Sequence, residues 1–370
     1  MKQKTPTTRR KACHDCARSK VRCSLQRPSC SNCASAGRVC RYATPAEPGS
    51  SNGPLEMHSR HATRDQLLDF SKLDLAPFDD AEQIRQGWMR SFLATPEQAE
   101  KTMHDYTLQY IGRILCVYAK QMALKAHGPP MLHATQMAEG QRHVDIANCS
   151  SLVRLWLNRA SGSESMVAEA VKREMERLSL AHGPDCSASP VNVLASFQAH
   201  LVYSILASLL PMDKDTTALV NDSTMAALQH LAFRTAQTGL VSRGEEQGFM
   251  PQWESWIVAA AKRRSLLVFY LFSNVYNAAN SMPNFIADEL RDVPAPDARL
   301  LWEADTRHEW QSQYAQHLAR WHDGPLRISE LWRSQHTGSS WRRERIERWL
   351  ETVDDFGMMV FSVCAHVHGC

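Results

Sequence analysis

The sequence lacks the features of a membrane or secreted protein. Its longest apolar run, Leu266 to Phe272, is far shorter than the roughly 20 residues that cross a bilayer. The opening segment, Met1 to Lys11, is polar and basic and has no apolar core of a secretory signal. We therefore expect no membrane partner and a reducing compartment, in which the cysteines do not form disulfides.

Catalytic signatures are also missing. The sequence has no nucleophile elbow, phosphate-binding loop, paired-histidine zinc motif or dinucleotide fingerprint in a suitable context. This absence predicts that the protein is not an enzyme. A small effector could bind between helices of such a chain, but no cluster of polar residues in the sequence identifies one.

Acidic residues are scarce at the start of the chain. Positions 1 to 41 contain eleven Lys or Arg residues and one acid, Asp15, which gives this segment a net charge of +10. The whole chain carries +3, so the other 329 residues carry about −7. Such asymmetry confines the attraction for polyanions to one short segment and is typical of a separate nucleic-acid-binding module.

Cysteine, in contrast, is concentrated near the start. Six of the eleven cysteines lie between positions 13 and 40, and the following residues, from Ala43 to about Asp65, are rich in Pro, Gly, Ser and Ala. This composition is typical of a linker, and it contains no apolar heptad that would form a coiled coil. We predict a cysteine-rich module with a basic arm at 1–42, a flexible linker at 43–65 and a helical regulatory domain at 66–370.

Strand signals are nearly absent from the rest of the chain. Apolar residues recur instead at helical spacing, and the fold class predicted is a small irregular module followed by a mainly all-α domain. One amphipathic helix is marked by Val167, Val171, Met175 and Leu178. Further helices are expected at roughly 97–126, 143–160, 190–210, 222–239, 252–281, 303–321 and 340–366.

The six clustered cysteines have the spacing of metal ligands. Two, six, six, two and six residues separate Cys13, Cys16, Cys23, Cys30, Cys33 and Cys40. A pair two residues apart can bind one metal from a single turn, and tetrahedral zinc takes four ligands. Two Zn²⁺ ions therefore need eight positions from six thiolates, so two of the sulfurs must bridge both ions. The cluster has a charge of −2, which nearby arginines and lysines help to offset.

Other interpretations of the six cysteines are a disulfide framework, a metal-storage peptide and a chance cluster. A reducing compartment and the regular spacing favour the metal cluster over all three. A zinc enzyme is disfavoured, because a zinc ion whose four positions are all occupied by cysteine has no open position for water or substrate.

The segment from Cys13 to Tyr42, CHDCARSKVRCSLQRPSCSNCASAGRVCRY, resembles the Zn2Cys6 binuclear cluster domain of fungal transcription factors. It is most similar to the aflatoxin-type regulators of secondary-metabolite gene clusters, which share the phrase from Ser19 to Cys23. The resemblance implies that Cys13 and Cys30 are the bridging ligands, that Pro28 lies in the loop joining the two halves, and that the protein acts in the nucleus.

The resemblance also implies how the module contacts double-stranded DNA. In the family, a basic residue on the helix after the second cysteine meets guanine acceptors of a CGG-like triplet, and Lys20 matches that position. Many relatives have a basic residue where this chain has Ser19 and an arginine where it has Ala17. A solvated surface or a nuclear import signal is the alternative interpretation of the basic residues. We expect phosphate contacts from Arg9, Arg10, Lys11, Arg18 and Arg22.

Two later segments, 253–277 and 293–310, resemble the helical middle-homology region of the same regulators. In the first of them Lys262, Arg263 and Arg264 are expected on the surface of a turn, where a second DNA site is conceivable. For the tail from Asp354 to Cys370 we prefer a terminal helix with a frayed end to a third zinc site. That metal site would use Cys364, His366, His368 and Cys370. Buried packing is expected for Cys116, Cys149, Cys186, Trp310, Trp321 and Trp332.

Together these features favour a sequence-specific DNA-binding transcription factor that activates a fungal secondary-metabolite gene cluster. The alternative is a nuclear protein-interaction regulator in which the zinc module is only a scaffold. Ser19 and Ala17 motivate this alternative, because basic residues are usual there in the family. A homodimer and binding to the transcription machinery or a coregulator stay open as further partners.

The cysteine spacing predicts two zinc ions per chain, whose binding and the folding of the module are one event. Elemental analysis of the purified protein should give about two zinc ions per chain. A chelator should unfold residues 1–42, which limited proteolysis would detect. A zinc content clearly below two, or a module that stays folded after chelation, would contradict the cluster.

Overall fold

The chain divides into two compact units, Met1–His61 and Ala62–Cys370. The linker predicted at 43–65 and Pro28 lie outside the described residues, so both remain predictions. The computed structural model describes residues 12, 13, 16, 19, 21–26, 29–37, 40, 68–90, 100–124, 128–138, 140–182, 188–212 and 219–369.

The first unit contains one short described helix, α1 (Ser31–Ser35), whose N-cap is Cys30. Hydrogen bonds join this helix to the preceding loop: the Asn32 amide donates to the Arg22 carbonyl at 2.7 Å, and the Ser31 N–H donates to the Ser24 hydroxyl at 2.9 Å. Outside α1, the described part of the module has little regular secondary structure, which agrees with the irregular module predicted.

The second unit is mainly helical, which confirms the predicted fold class of the larger domain. Two short strands, β1 (Leu75–Ala76) and β2 (Val241–Ser242), pair antiparallel with Leu75 opposite Ser242. Two 3-10 helices span Asp288–Leu290 and Ile328–Leu331. The α-helices are α2 (Ala81–Arg90), α3 (Asp105–Gln121), α4 (Ala134–Met137), α5 (Val144–Leu157), α6 (Glu164–Leu180), α7 (Pro190–Leu209), α8 (Asp222–Gln237), α9 (Arg243–Glu246), α10 (Trp253–Ala279), α11 (Arg299–Trp302), α12 (Arg307–Arg320), α13 (Ser340–Leu350) and α14 (Asp355–His368).

Helix α7 lies at the centre of this unit and packs against α3, α5, α6, α8 and α10. Every side chain from Val193 to Ala207 is buried. By length and composition α7 is apolar enough to cross a membrane, which the short apolar runs did not suggest, but 83% of its most apolar window is buried inside the unit. Several of its polar side chains have internal partners: Gln198, for example, donates to the Met131 carbonyl at 2.8 Å. Thus α7 packs as a core helix.

The basic triplet Lys262, Arg263 and Arg264 is not on a surface turn, so that prediction is wrong. All three residues lie inside α10 with relative exposures of 0, 2 and 1%. The reason is that α10 runs through the core and is enclosed on nearly all sides, so even its charged positions face other elements. These side chains therefore cannot form a second DNA site from where they lie.

Each cation of the triplet is matched by a different set of acceptors. Lys262 donates to the Thr238 hydroxyl and the Gly239 carbonyl, and burial lowers the pKa of Lys262 to about 7. The Arg263 guanidinium pairs with two carboxylates, Glu245 at 3.0 Å and Asp297 at 2.9 Å. Through these interactions Lys262 connects α10 to the turn after α8, and Arg263 connects α10 to α9.

The helix predicted at 340–366 is broken into α13 and α14. Between them the Arg299 N–H donates to the Thr352 carbonyl at 2.8 Å, and Val353 forms an isolated antiparallel bridge with Ala298, so the chain leaves the helical conformation there. Asp354 then caps α14 by accepting from the Gly357 N–H at 3.0 Å, and its other oxygen pairs with Arg264 at 2.7 Å. The helix predicted at 97–126 is also shorter, since α3 spans only Asp105–Gln121.

Predictions about single core residues are largely confirmed. Trp310, Trp321 and Trp332 are buried, and so is Cys149, whereas Cys116 is only half-buried. Cys186 lies outside the described residues.

Gly239 allows the turn after α8 to pass under β1. Its φ is +93°, and an added Cβ would lie 2.2 Å from the Ala76 carbonyl oxygen. Gly162 has a similar φ of +87° but open space around it. We expect Gly162→Ala to lower the free energy of unfolding by about 1 kcal/mol, from backbone strain alone. Gly239→Ala should lower the free energy of unfolding by at least about 2 kcal/mol more than Gly162→Ala, because the clash with the Ala76 carbonyl adds to the backbone strain.

Urea unfolding of the two variants measures this difference. Equal losses of stability would show that the close approach to β1 relaxes without cost.

Candidate metal centre and nucleic-acid interface

The cysteine sulfurs of the first unit converge on one point. The Sγ atoms of Cys13 and Cys30 are 3.7 Å apart, those of Cys13 and Cys33 are 3.7 Å apart, and those of Cys16 and Cys30 are 3.6 Å apart. Four sulfurs about 2.3 Å from a tetrahedral zinc ion are about 3.8 Å from one another. A disulfide has a sulfur separation of about 2 Å, so these pairs are not disulfides. The spacing suits metal ligands.

The sulfurs form two overlapping sets of four. The first set is Cys13, Cys16, Cys23 and Cys30, and the second set is Cys13, Cys30, Cys33 and Cys40. Within each set the sulfurs lie within 4.8 Å of one another. Both sets contain Cys13 and Cys30, so two ions held in this arrangement would share two sulfurs. Each set supplies the four ligands of a closed tetrahedral site.

Local backbone geometry explains how the second half of the module presents its sulfurs. Cys30 caps α1, and its sulfur accepts a hydrogen bond from the Cys33 N–H at 3.4 Å. The Cys40 sulfur accepts from the Cys30 N–H at 3.2 Å, and this bond is the main reason that the pKa of Cys40 is lowered. This peptide N–H group therefore already favours negative charge on the Cys40 sulfur.

The thiols of Cys16 and Cys33 are less readily ionised in the absence of a cation. Burial raises the pKa of Cys33 to about 12, and burial is also the largest cause of the raised pKa of Cys16. Crowded thiols of this kind deprotonate when a metal ion balances their charge. The donor set of six sulfurs thus fits Zn²⁺, which prefers thiolate ligands.

Of the residues predicted to contact DNA, the structure describes only Arg22, whose side chain is exposed. The hydrogen bond from Asn32 to the Arg22 carbonyl anchors its backbone next to the metal ligand Cys23 predicted above. Sequence reasoning missed the roles of Asn32 and Ser24, because side-chain bonds across loops leave no periodic signal. Outside the described residues lie Arg9, Arg10, Lys11, Arg18 and Lys20.

In the described part of the C-terminal segment, metal-binding side chains are not grouped together. This segment forms α14, as preferred above, and the His366 ring nitrogen bonds the Ser362 carbonyl at 2.9 Å. His368 stacks on Trp332 with ring centroids 5.9 Å apart. Among the described residues, only the two sets in the first unit group three or more metal-binding side chains. Cys370 lies outside the described residues.

Comparison with known proteins gives a family for the first unit. Residues 11–48 match the Fungal Zn(2)-Cys(6) binuclear cluster domain. The chain is 34% identical over 90 residues to a protein of Claviceps purpurea named Ergochrome gene cluster transcriptional regulator. The matched segment is 24% of this chain and 18% of that protein. The chain is 41% identical over 61 residues to a protein of Aspergillus terreus named Geodin cluster transcription factor, covering 16% of this chain and 27% of that protein.

These relatives are therefore matched over less than a third of their own length. No solved structure matches the chain.

The sharing of sulfurs predicts unequal effects of two cysteine substitutions. Cys13→Ser removes a ligand from both sets, whereas Cys23→Ser removes a ligand from the first set only. We expect Cys23→Ser to retain about one zinc ion per chain and Cys13→Ser to retain fewer, because a three-sulfur site binds zinc more weakly than a closed one. Elemental analysis of the full-length variants measures the zinc content of each. Cys116→Ser is the control and should keep the full zinc content. Equal zinc content in the Cys13 and Cys23 variants would contradict the sharing.

Proposed function

We propose that this chain, which carries a fungal Zn(2)-Cys(6) binuclear cluster domain at residues 11–48, is a nuclear transcription factor that activates a fungal secondary-metabolite gene cluster. The observation that carries the proposal is the pair of overlapping sulfur sets within a segment of net charge +10. The names of the relatives, which are regulators of the ergochrome and geodin gene clusters, support the choice of secondary metabolism.

The six cysteines of the two sets would hold two Zn²⁺ ions, with Cys13 and Cys30 bridging. Bound zinc supplies the positive charge that lets the thiols ionise and the cross-links that a module of this size needs for folding. Because all four positions of each ion would be occupied by sulfur, the site has no place for a water nucleophile. This closed arrangement supports a structural rather than catalytic role.

DNA recognition in this proposal depends on residues that flank the metal ligands. Lys20 would reach the guanine O6 and N7 acceptors of a CGG-like triplet in the major groove. The exposed Arg22 would contact phosphates, together with basic residues that lie outside the described part. Those residues are Arg9, Arg10, Lys11 and Arg18.

The helical unit would act as the regulatory domain. Its mainly helical fold supports the resemblance of 253–277 and 293–310 to the middle-homology region, and a coregulator or a second copy of the chain would bind to it. Residues 43–65 carry no heptad for a coiled coil, so the chain binds DNA as a monomer or dimerises through this unit.

A protein-interaction regulator is the second candidate. Ser19 and Ala17 favour it, because basic residues that relatives use near DNA are missing there. In that case the zinc module is a scaffold, and the full-length protein would bind CGG-bearing and random duplexes equally, with a weak dependence on salt.

The two candidates are separated by two substitutions. Lys20→Ala should weaken binding to a CGG-bearing duplex by about 1–3 kcal/mol and leave binding to a random duplex nearly unchanged. Arg22→Ala should weaken binding to both duplexes alike and reduce the slope of log affinity against log salt by about one.

Gel-shift titrations of the full-length protein at several salt concentrations measure both effects. Lys120→Ala, an exposed substitution in the helical unit, serves as the control. If Lys20→Ala binds the CGG-bearing duplex as well as the unsubstituted protein does, base reading by Lys20 is refuted.

A further inference from the structure

A cavity of about 80 Å³ lies in the helical unit between α10, α14 and the two 3-10 helices. Its walls are mostly apolar and come from elements far apart in sequence. This volume is well below the roughly 300–1,000 Å³ of pockets that hold drug-sized ligands. A short alkyl chain or a single ring is therefore the size of group that suits it. The apolar walls include Leu267, Leu271, Ile286, Trp332, Val360 and Val363.

One cationic side chain, Lys101, also lines this cavity. Its backbone is held in place, because the Lys101 N–H donates to the Asn284 carbonyl at 2.7 Å. Burial lowers the pKa of Lys101 to about 8, while the charges of Cys364 and Glu289 act in the opposite direction. Near pH 7 the ammonium is therefore mostly charged.

The titratable groups that interact with Lys101 are Glu289, Cys364 and His368. Glu289 accepts a hydrogen bond from the Tyr270 hydroxyl. Among the described residues that line the cavity there is no carboxylate, and the charge of Glu289 acts on Lys101 from outside that lining. Burial, followed by the charge of Lys101, lowers the pKa of His368 to about 4, so this ring is neutral near pH 7. The cavity thus combines apolar walls with one positive charge.

We propose that this cavity binds a small apolar monocarboxylate, with its carboxylate at the Lys101 ammonium and its alkyl chain or ring against the apolar walls. A charge-assisted hydrogen bond is stronger at a half-buried ammonium than in open solvent, because fewer water molecules compete for it. The apolar walls favour burial of a hydrocarbon body and disfavour a second charge on the ligand. The site is independent of the metal centre, so it stands or falls separately from DNA binding.

Titration calorimetry of the full-length protein tests the proposal with three acids of suitable size: butyrate, hexanoate and benzoate. The primary amide of each acid is the matched uncharged ligand. We expect at least one acid to bind about tenfold to a hundredfold more tightly than its amide. Lys101→Met, which keeps the length of the side chain but removes its charge, should abolish this preference and leave amide binding within about twofold. Lys120→Met, exposed on α3, is the control.

A second measurement does not depend on a variant. Cys364 lines the cavity and Cys116 does not, and both are half-buried cysteines. The bound acid should slow alkylation of Cys364 by iodoacetamide and leave the alkylation rate of Cys116 unchanged, as peptide mass mapping would show.

Three results would overturn the proposal. They are failure of all three acids to bind, equal affinity of acid and amide, and an acid preference that survives Lys101→Met. Alkylation of Cys364 that is unaffected by a bound acid would place that acid elsewhere and would also overturn it.

Discussion

Six sulfurs arranged as two sets of four must share two of their members, and the first unit depends on this constraint. The core cluster found among its described residues consists of cysteines, with four of them buried and Cys23 and Cys40 packed against these. A module of this size has too few apolar side chains for a core that is stable by itself. Metal–sulfur bonds would replace hydrophobic burial as the main stabilising interaction of such a module.

The helical unit is stabilised in the opposite way. Its buried apolar side chains form two clusters, and α7 and α10 contribute residues to both. Charges inside the unit are placed where they have specific acceptors. Arg264, for example, pairs with Asp354 at 2.7 Å and lies over the Trp302 ring at 4.1 Å. A buried charge that loses its partner is costly, so such pairs hold the helices in one arrangement rather than adding much net stability.

Features that depend on residue spacing and periodicity could be predicted from the sequence. Features that depend on long-range packing could not. The grouping of the cysteines follows from ligand count, and the helix at Val167 to Leu178 follows from its apolar repeat. The burial of Lys262 to Arg264 could not be read in this way, because charged residues in a helix normally indicate an exposed face. The break between α13 and α14 depends on pairing of Thr352 with Arg299, which no local pattern signals. The cavity beside Lys101 joins residues more than 200 positions apart, so it was not visible in the sequence either.

The buried triplet has a consequence for how the chain would meet DNA. Exposed cations determine the salt dependence of DNA binding, since each contact with a phosphate releases counterions. Lys262, Arg263 and Arg264 form the longest run of basic residues beyond position 61, yet they are occupied inside α10. The residues from 42 onward carry about −7, so as a whole they repel a polyanion. Any affinity for DNA would therefore come from the basic segment at 1–41, where basic residues alternate with the cysteines, and loss of a bound metal would disperse those basic residues along an unfolded chain.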